Sequence, residues 1–420
     1  MCITLPAKIT AIRGMIADIN NNGRQQSVRI GTEEKLTPGD WVLTTSDFLI
    51  KKIDDLEAQE IFSLLGHYQK IDTENIDGRL KEILSARGQR DLTKEEIVYL
   101  LSLNEEQSLA ALYSEANIIR KTSIKDHICV HGIIEFSNHC KNNCLYCGLR
   151  RDNKEKIAYH MEPEEIIETA VRAVNDKGYK LLVLQSGEDD FYDEQKLLTI
   201  VSGIKNQCRV FLYLSIGDRE AVLYWKLKQA GANGILMRFE SSNAGIYAKM
   251  HDGESLADRL NLIKELKQQG YIISTGPIIG LPGQTISDMA DDILTMKDIG
   301  LFMPSMGPLV PSANTPLLDE QVIDSKMILK VIAATRLAVP SARIPVTTAM
   351  ETLYGMEFRQ QAFLAGANSV MLNLTPEKYR NNYYIYANKF FDQEKKYEKW
   401  ALFKGELSYR MLENELQMSI

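Results

Sequence analysis

Three cysteines lie close together in the chain and define the chemistry that the sequence can support. Cys140, Cys144 and Cys147 follow an apolar stretch that predicts a β-strand, and their spacing is C-x3-C-x2-C. Three thiolates on a short loop can bind three irons of a 4Fe-4S cluster, and the loop offers no fourth thiolate. One iron would then stay open to an outside ligand, and an open iron is a place for reaction.

A structural zinc site and a disulfide framework are the ordinary alternatives for such cysteines. Zinc prefers four closed ligands in two separated pairs, and only His139, too close to Cys140 for relaxed tetrahedral geometry, offers a fourth ligand. The remaining cysteines, at positions 2, 129 and 208, are scattered, and no signal peptide precedes them. Six cysteines in 420 residues therefore indicate a reducing, cytoplasmic compartment rather than a disulfide scaffold.

Length and composition are typical of a soluble enzyme with more than one domain. The chain has 420 residues, of which 45% are hydrophobic and 25% are charged. It contains no run of about 18 apolar residues, so no membrane helix is expected. The net charge of -7 argues against a nucleic-acid surface, which needs clustered Lys and Arg in excess.

From about residue 127 to residue 376, short β-branched runs alternate with amphipathic runs. The β-branched runs are mostly continuous and apolar, as a parallel sheet covered by helices requires. A glycine stops each of five predicted helices just before the next strand, at positions 178, 231, 270, 300 and 366. The eight predicted strands are His127 to Phe136, Lys180 to Ser186, Arg209 to Ile216, Gly234 to Phe239, Ile272 to Ile279, Ser305 to Val310, Arg343 to Thr348 and Ser369 to Leu374.

Eight strand-helix units predict an α/β fold of the (β/α)8 TIM-barrel type. The active site of such a barrel lies at the carboxyl ends of the strands, and the polar residues of this chain collect there. The cysteine loop follows the first strand. Other polar residues at strand ends are Ser186, Gly187 and Glu188 after the second strand, Ser215 after the third, Arg238 and Glu240 after the fourth, and Thr347 and Thr348 after the seventh.

The cysteine loop, with Tyr146 just before its last cysteine, resembles the cluster motif of the radical S-adenosylmethionine (SAM) enzymes. The strings that begin at Ile134 (IEFSN), Cys144 (CLYCGLRRDN) and Leu184 (LQSGED) are similar to the HydE-type maturases of [FeFe] hydrogenases. The resemblance covers about residues 75 to 390. It implies one 4Fe-4S cluster on Cys140, Cys144 and Cys147, and it implies that the reduced cluster cleaves SAM to a 5'-deoxyadenosyl radical.

The resemblance also implies a SAM pocket. Ser186, Gly187 and Glu188 match the place where the family holds the methionyl ammonium. Glu240 and Arg259 match the family's acceptor for a ribose or ammonium group and its partner for the methionyl carboxylate, although an exposed ion pair is the ordinary role of such a helical arginine. Further residues that the resemblance places near SAM are Tyr146, Arg238, Met371 and Tyr383, with core packing an equal alternative for the last two.

The string GLPGQT at Gly280 is similar to the family's turn beside the adenosyl group, but a Pro282-Gly283 turn and a helix cap at Thr285 or Ser287 explain it equally well. Residues that would face the substrate are Gln185, Ser215, Thr347 and Thr348. The expected substrate is a small organometallic or amino-acid-derived molecule. The expected partners are other hydrogenase maturation proteins, namely a GTPase scaffold and a carbonyl- and cyanide-forming radical SAM enzyme, and an electron donor such as ferredoxin or flavodoxin.

Residues 1–68 predict a separate small β-barrel of OB-like type. The predicted strands are Lys8 to Ile19, Gln26 to Ile30 and Trp41 to Ile53, with a hairpin turn at Asn22-Gly23, a helix from Asp55 to Leu65 and a linker from His67 to Asp77. The strings MCITLP, PGDWVL and FLIKKI resemble HypC-type hydrogenase assembly chaperones. In that family Cys2 would bind iron, but the family's histidine before the Phe is missing here, so a plain docking module stays the alternative.

The predicted domains are therefore 1–68, a helical lead-in at 69–126, the barrel at 127–376 and a helical tail at 377–420 that packs on the barrel. The tail has no cysteine, so an accessory cluster of the kind some maturases carry there is not expected. Two other functions stay open at this point. One is another radical SAM enzyme acting on an amino acid, such as methylornithine synthase, and the other is a non-catalytic iron carrier or chaperone.

Overall fold

The computed structural model describes residues 4–21, 24–45, 48–55, 57–58, 76–86, 90–124, 128–355, 357–386 and 388–389. The chain divides into two compact units, Met1–Asn75 and Ile76–Ile420. The predicted boundaries at residues 68, 126 and 376 stay predictions.

The first unit contains a closed five-stranded β-barrel, with the strand order β1-β2-β3-β5-β4. Alternate residues of each strand point inward, as a half-buried strand requires, and Ala7, Ile9, Val28, Val42 and Leu49 meet in its core. The small barrel predicted from the sequence is confirmed. Its strands are β1 Thr4–Arg13, β2 Ile16–Asn21, β3 Arg24–Ile30, β4 Trp41–Thr45 and β5 Phe48–Ile53.

Two of the strands predicted for this barrel are wrong, because each is a pair of antiparallel strands. The predicted strand Lys8 to Ile19 is broken by a turn at Gly14, whose φ of 62° suits glycine. The predicted strand Trp41 to Ile53 comprises β4 and β5, which pair with each other. The hairpin turn at Asn22-Gly23, the end of the helix after Asp55, most of the predicted linker and Cys2 lie outside the described residues.

The second unit begins with helices, as predicted. They are α1 Gly78–Ser85, α2 Lys94–Ser102 and α3 Glu106–Ile124. Thr93 begins α2 with a capping box, in which its side chain accepts the Glu96 N–H and the Glu96 carboxylate accepts the Thr93 N–H.

An eight-stranded parallel sheet follows, with the order β12-β10-β9-β8-β7-β6-β15-β14. The segments just before the two end strands are joined by a backbone hydrogen bond of 2.9 Å from the Arg343 N–H to the Phe302 carbonyl. The sheet therefore curves into a nearly closed barrel, which confirms the (β/α)8 prediction. Its strands are β6 Cys129–Ser137, β7 Leu181–Ser186, β8 Phe211–Ser215, β9 Gly234–Leu236, β10 Ile272–Thr275, β12 Met303–Pro304, β14 Pro345–Val346 and β15 Ser369–Asn373.

The fifth and sixth predicted strands differ from the structure. The run from Ile272 to Ile279 breaks at Gly276-Pro277, and its second part, β11 Ile278–Ile279, pairs with β13 Gly307–Pro308 in a separate two-stranded sheet. The sixth strand of the barrel is β12, which ends before the predicted start at Ser305. Prolines 277, 304 and 308 lack the N–H that a continuous ladder needs, which explains the short pieces.

Helices cover the outside of the barrel, and the glycines predicted to end helices do so. Gly178, Gly231, Gly270, Gly300 and Gly366 all have positive φ, between 62° and 111°. The remaining helices are α4 Pro163–Asn175, α5 Glu194–Gln207, α6 Ala221–Gln229, α7 Ala244–Met250, α8 Leu256–Gln268, α9 Ile286–Ile299, α10 Ser325–Ala338, α11 Thr348–Tyr354, α12 Phe358–Leu364 and α13 Glu377–Arg380.

Within the described part of the chain, no helix is long and apolar enough to cross a lipid bilayer.

Candidate active site

The three motif cysteines line one cavity of about 250 Å³ at the carboxyl ends of the barrel strands. They lie on the loop between β6 and α4, and the Asn138 side chain holds both ends of this loop. Its amide nitrogen donates to the carbonyl of Ile157 at 2.7 Å, and its amide oxygen accepts the Tyr159 N–H at 2.8 Å. These two hydrogen bonds join the start of the loop to its end.

The loop after β7 packs tightly against the cysteine loop at Gly187. A Cβ atom at Gly187 would lie 2.1 Å from the His139 carbonyl oxygen and 2.8 Å from Cβ of Cys140. The Lys141 N–H donates to the Glu188 carbonyl at 3.0 Å, which joins the same two loops. Only glycine fits this contact. Gly187 of the SGE string therefore has a structural role in packing the two loops, in addition to any role in binding a ligand.

Burial raises the pKa of all three thiols, and it raises that of Cys147 to about 12. The negative charge of neighbouring thiolates adds to the effect at Cys144 and Cys147. A positive group between them would favour ionisation, since thiolates are the metal-binding form. Among the described residues, no three His, Cys, Asp or Glu side chains converge on a site for a single metal ion.

Arg259 on α8 is buried and lines the cavity, whereas arginines on helices are usually exposed. Its Nε lies 3.2 Å from Oδ2 of Asp218, and one terminal nitrogen lies 3.1 Å from Oε2 of Glu254. The other terminal nitrogen donates to the Arg238 carbonyl at 3.2 Å. Burial acts to lower the pKa of Arg259, but the charges of Asp218 and Glu254 oppose it, and the pKa is raised.

Two carboxyl groups lie in and behind this wall of the cavity, at Glu188 and Asp218. Glu188 accepts the Asp218 N–H at 2.9 Å. Its side chain packs on Gly217, where an added Cβ would lie only 2.0 Å from Cγ of Glu188. Burial raises the pKa of both Glu188 and Asp218. The wall is therefore suited to a cationic ligand, which would relieve the cost of ionising these carboxyl groups.

Glu240 reaches the cavity from a strained backbone. Its φ is 61°, a left-handed conformation that costs a residue with a side chain roughly 1–2 kcal/mol. Its Oε2 lies 3.1 Å from Nε of Arg238 but accepts no hydrogen bond within the described residues, although it is buried. A buried carboxylate oxygen with an open acceptor position is able to bind a hydroxyl or ammonium group.

Asp292 on α9 supports the Glu240 loop from behind. Its Oδ1 accepts both the N–H and the hydroxyl of Ser242 at 2.6 Å, and its Oδ2 accepts the side-chain amide of Gln284 at 2.9 Å. Burial raises the pKa of Asp292 to about 7. Gln284 belongs to the GLPGQT string, which lies outside the residues that line the cavity and which forms a turn followed by the cap Thr285 of α9.

Most of the residues predicted for the SAM pocket and the substrate lie around this cavity. Met371 does not, because it lies on β15 opposite His131. Thr347 and Thr348 do not line it either, although the Thr348 hydroxyl lies 2.6 Å from that of Tyr386, which does. Cys2 lies outside the described residues. The predicted residues that line the cavity are Tyr146, Gln185, Ser186, Gly187, Glu188, Ser215, Arg238, Glu240, Arg259 and Tyr383.

The sequence prediction missed several residues of the site. His251 lines the cavity and its Nε2 lies 2.8 Å from the Tyr146 hydroxyl, which positions the aromatic ring of the cysteine loop. Asp218, Glu254 and Asp292 hold the predicted residues. The signal for them was weak, because each is a single polar residue in a loop or helix without a motif.

The C-terminal segment also reaches the barrel, through a buried ion pair that the sequence prediction missed. Lys389 pairs with Glu135 on β6, and both side chains are 2% exposed. Asn373 donates to the other Glu135 oxygen at 2.8 Å. A charged residue within the otherwise apolar strand β6 was a signal for Glu135, whereas Lys389 had none. Between α13 and Lys389, Tyr383, Ile385 and Tyr386 line the cavity.

Three family models match the chain. The Radical SAM superfamily model matches residues 134–296, the HupF/HypC family model matches residues 1–65, and the Biotin and Thiamin Synthesis associated domain matches residues 305–396. These matches cover both the small barrel and the barrel that carries the cysteine loop.

Among curated proteins, the [FeFe] hydrogenase maturase subunit HydE of Thermotoga maritima is 42% identical over 315 residues, which cover 75% of this chain and 90% of that protein. Among solved structures, methylornithine synthase (PylB) has a TM-score of 0.69 at 25% identity and covers 80% of this chain and 99% of that one. The maturase HydG from Carboxydothermus hydrogenoformans has a TM-score of 0.67 at 21% identity, with 82% and 83% covered, and this likeness shows the fold alone.

Proposed function

The chain belongs to the HydE family of [FeFe]-hydrogenase maturases, and we propose that it is a radical SAM enzyme that acts in assembly of the [FeFe]-hydrogenase active-site cluster. The observation that carries the proposal is the convergence of the three motif thiols and a buried charged pocket on one cavity. That convergence supports a single site in which the cysteines would hold the cluster and the charged residues would bind SAM.

The residues present fit a 4Fe-4S cluster. Three thiols share one cavity, and three cysteines that each bind a different iron are the donor set of a cluster with one open iron. Cys140, Cys144 and Cys147 would hold the cluster and leave one iron for SAM. When bound, the cluster supplies one electron that breaks the sulfonium bond of SAM and gives methionine and a 5'-deoxyadenosyl radical.

The protein's own residues bind and orient SAM. Glu188, which lines the cavity, would accept the methionyl ammonium. Arg259 would bind the methionyl carboxylate through its fixed fork of donors, exchanging one of its present acidic partners for it. Glu240 would accept a ribose hydroxyl at its open oxygen. Tyr146, held by His251, would pack beside the adenosyl group.

The remaining walls hold the substrate and exclude water. Gln185, Ser215 and Arg238 form a polar end of the cavity, and Tyr383, Ile385 and Tyr386 of the C-terminal segment cover its side. A closed, dry cavity protects a reactive species from stray hydrogen donors. We infer a small polar or anionic substrate, such as an organometallic or amino-acid-derived molecule supplied by another maturation protein.

The small barrel of the first unit also points to hydrogenase assembly. Residues 1–65 match the HupF/HypC family, so we propose that the first unit is a docking module for hydrogenase assembly. Cys2 would be its iron ligand if the module carries metal.

The function is tested by reconstituting the cluster without oxygen, adding a reductant and SAM, and measuring 5'-deoxyadenosine. The proposal predicts 5'-deoxyadenosine and methionine in equal amounts. Intact SAM beside a well-formed cluster would instead indicate an iron carrier. L-lysine is included in a second arm, because the methylornithine synthase alternative predicts methylornithine from it, whereas the maturase proposal predicts none.

A further inference from the structure

The surface of the cysteine loop differs in charge from the rest of the chain. Residues 141–157 contain five basic residues and two acidic ones, although the whole chain has a net charge of -7. Such a local reversal of charge is what steers a partner of opposite sign to one place on a surface.

Hydrogen bonds within the loop bring the exposed basic residues together. The Arg151 N–H donates to the Asn142 carbonyl at 2.8 Å, and its guanidinium donates to the Lys141 carbonyl at 3.4 Å. Nζ of Lys154 donates to the Arg151 carbonyl at 3.1 Å. All three basic residues are exposed. Lys141, Arg151 and Lys154, together with Ile157, are called the basic loop surface below.

Ile157 adds an apolar element to this surface. Its side chain is 71% exposed, while the Asn138 side chain binds its carbonyl at 2.7 Å and fixes its position. An exposed apolar side chain beside charged ones is the composition of a small protein-binding surface, in which the apolar part is buried and the charges form the rim.

The basic loop surface is separated from the cavity by a thin layer of main chain. Asn142 lines the cavity, and its carbonyl accepts the hydrogen bond from Arg151 on the outer side. Lys141 directly follows Cys140 in the chain. A protein bound to this surface would therefore lie next to the loop that carries all three thiols.

We propose that the basic loop surface is the docking site for an acidic protein that carries single electrons. The inference rests on the proposed function, which consumes one electron for each SAM cleaved. The reduced centre of the partner would lose one electron to the cluster that Cys140, Cys144 and Cys147 would hold, and no atom would be transferred. The positive charge of residues 141–157 favours an acidic carrier, and binding of a second copy of this chain is an outcome that the test distinguishes.

The test compares two reductants for the reconstituted full-length enzyme. One is a reduced acidic ferredoxin, used as the probe protein, and the other is reduced methyl viologen, a small cation that needs no docking site. The double variant R151E/K154E should lower the initial rate of 5'-deoxyadenosine formation with ferredoxin at low salt by about tenfold or more, and leave the rate with methyl viologen unchanged. Ile157→Ser should act in the same direction with a smaller effect.

Salt and a matched variant complete the design. The ferredoxin-driven rate of the unchanged protein should fall as ionic strength rises, because exposed charges are screened over about 8 Å at 0.15 M salt. The control K264E/K326E makes the same change of charge at exposed positions on α8 and α10 and should retain the full ferredoxin-driven rate. The proposal is overturned if R151E/K154E and the unchanged protein have the same ferredoxin-driven rate, or if both double variants lose that rate equally. It is also overturned if R151E/K154E abolishes self-association in sedimentation and leaves the ferredoxin-driven rate unchanged.

Failure of the proposed function would be visible separately. If the unchanged protein forms no 5'-deoxyadenosine with methyl viologen, the proposed enzyme activity is wrong. If the unchanged protein forms 5'-deoxyadenosine with methyl viologen, but R151E/K154E forms none with either reductant, the docking inference alone is wrong.

Discussion

At the scale of single residues, the thiols of the chain differ in what surrounds them. Cys144 faces the cavity with Cys140 and Cys147, whereas Cys208 is buried at the end of α5, where its Sγ approaches the Ile204 carbonyl at 3.3 Å. Burial raises the pKa of both, so the distinction lies in geometry and not in acidity.

We predict that Cys144→Ala abolishes SAM cleavage because it removes one of three ligands of the cluster. Cys208→Ala, which removes a packed thiol of the same size, should retain the cluster and the rate. Iron content and 5'-deoxyadenosine are measured for both after anaerobic reconstitution. Unchanged cleavage in the Cys144 variant would contradict the assignment of the ligands.

Asp292 acts on the site through the backbone of another segment. It fixes Ser242, two residues after Glu240, whose left-handed conformation must be held by its surroundings. Asp292→Asn keeps the shape of the side chain but replaces one acceptor oxygen by an amide group that donates. That group would face the Gln284 side-chain amide, which now donates to Asp292. We expect KM for SAM to rise about tenfold, equivalent to about 1.4 kcal/mol, with little change in kcat.

Asp298→Asn serves as the control, since Asp298 is an exposed residue of the same helix. It should leave KM for SAM unchanged. Equal KM values for the Asp292 variant and the unchanged protein, in a steady-state titration of SAM, would show that this carboxylate does not position Glu240.

At the scale of elements, the C-terminal segment is attached to the barrel by the pair of Lys389 and Glu135. Burial acts to lower the pKa of Lys389, which Glu135 opposes. Removing one member of a buried ion pair leaves the other charge without compensation and costs about 3–5 kcal/mol.

Lys389→Met should therefore lower the free energy of unfolding by about 3 kcal/mol or more. The double variant E135Q/K389M should recover most of this loss, because it removes both charges. Lys378→Met breaks an exposed pair with Glu165, where Lys378 is 62% exposed, and should lower the free energy of unfolding far less, because solvent screens exposed pairs. Urea unfolding curves measure all three. A single-variant loss no larger than that of Lys378→Met would show that the pair does not secure the segment.

The sequence predicted these elements to different degrees. Continuous apolar runs such as that of β6 and the helix-ending glycines are local signals, so the order of the barrel strands and the positive φ of Gly300 could be predicted. The break at Gly276-Pro277 was missed although a Gly-Pro pair marks turns, because the apolar run resumes at Ile278, and the start of β12 before Pro304 was missed as well. Lys389 could not be predicted to be buried, since its partner lies 254 residues away and only the folded barrel brings them together.

The same limit applies to the candidate site. Cys140, Cys144 and Cys147 stand out through their spacing, and Glu188 and Glu240 through their places at strand ends. His251 and Asp218 carry no such mark. Their contribution depends on how α7 and the loop after β8 meet, which is a property of tertiary packing.

At the scale of the whole molecule, the two units have separate cores and separate family matches. Among the residues that the structure describes, those that line the cavity belong to the second unit. We predict that deleting residues 1–75 leaves SAM cleavage in vitro within about twofold of the full chain, and lowers hydrogenase maturation in cells because tethering raises local concentration. Loss of SAM cleavage in the purified truncated protein would contradict this division of roles, and unimpaired maturation in cells would contradict the docking role.

The central claim of the account is that three cysteines bind a 4Fe-4S cluster and leave one iron for SAM. The most direct measurement is electron paramagnetic resonance and Mössbauer spectroscopy of the anaerobically reconstituted, reduced protein, before and after SAM is added. The account predicts one iron site that differs from the other three and changes its signal when SAM binds. A cluster with four equivalent thiolate-bound irons, or spectra that do not respond to SAM, would contradict it.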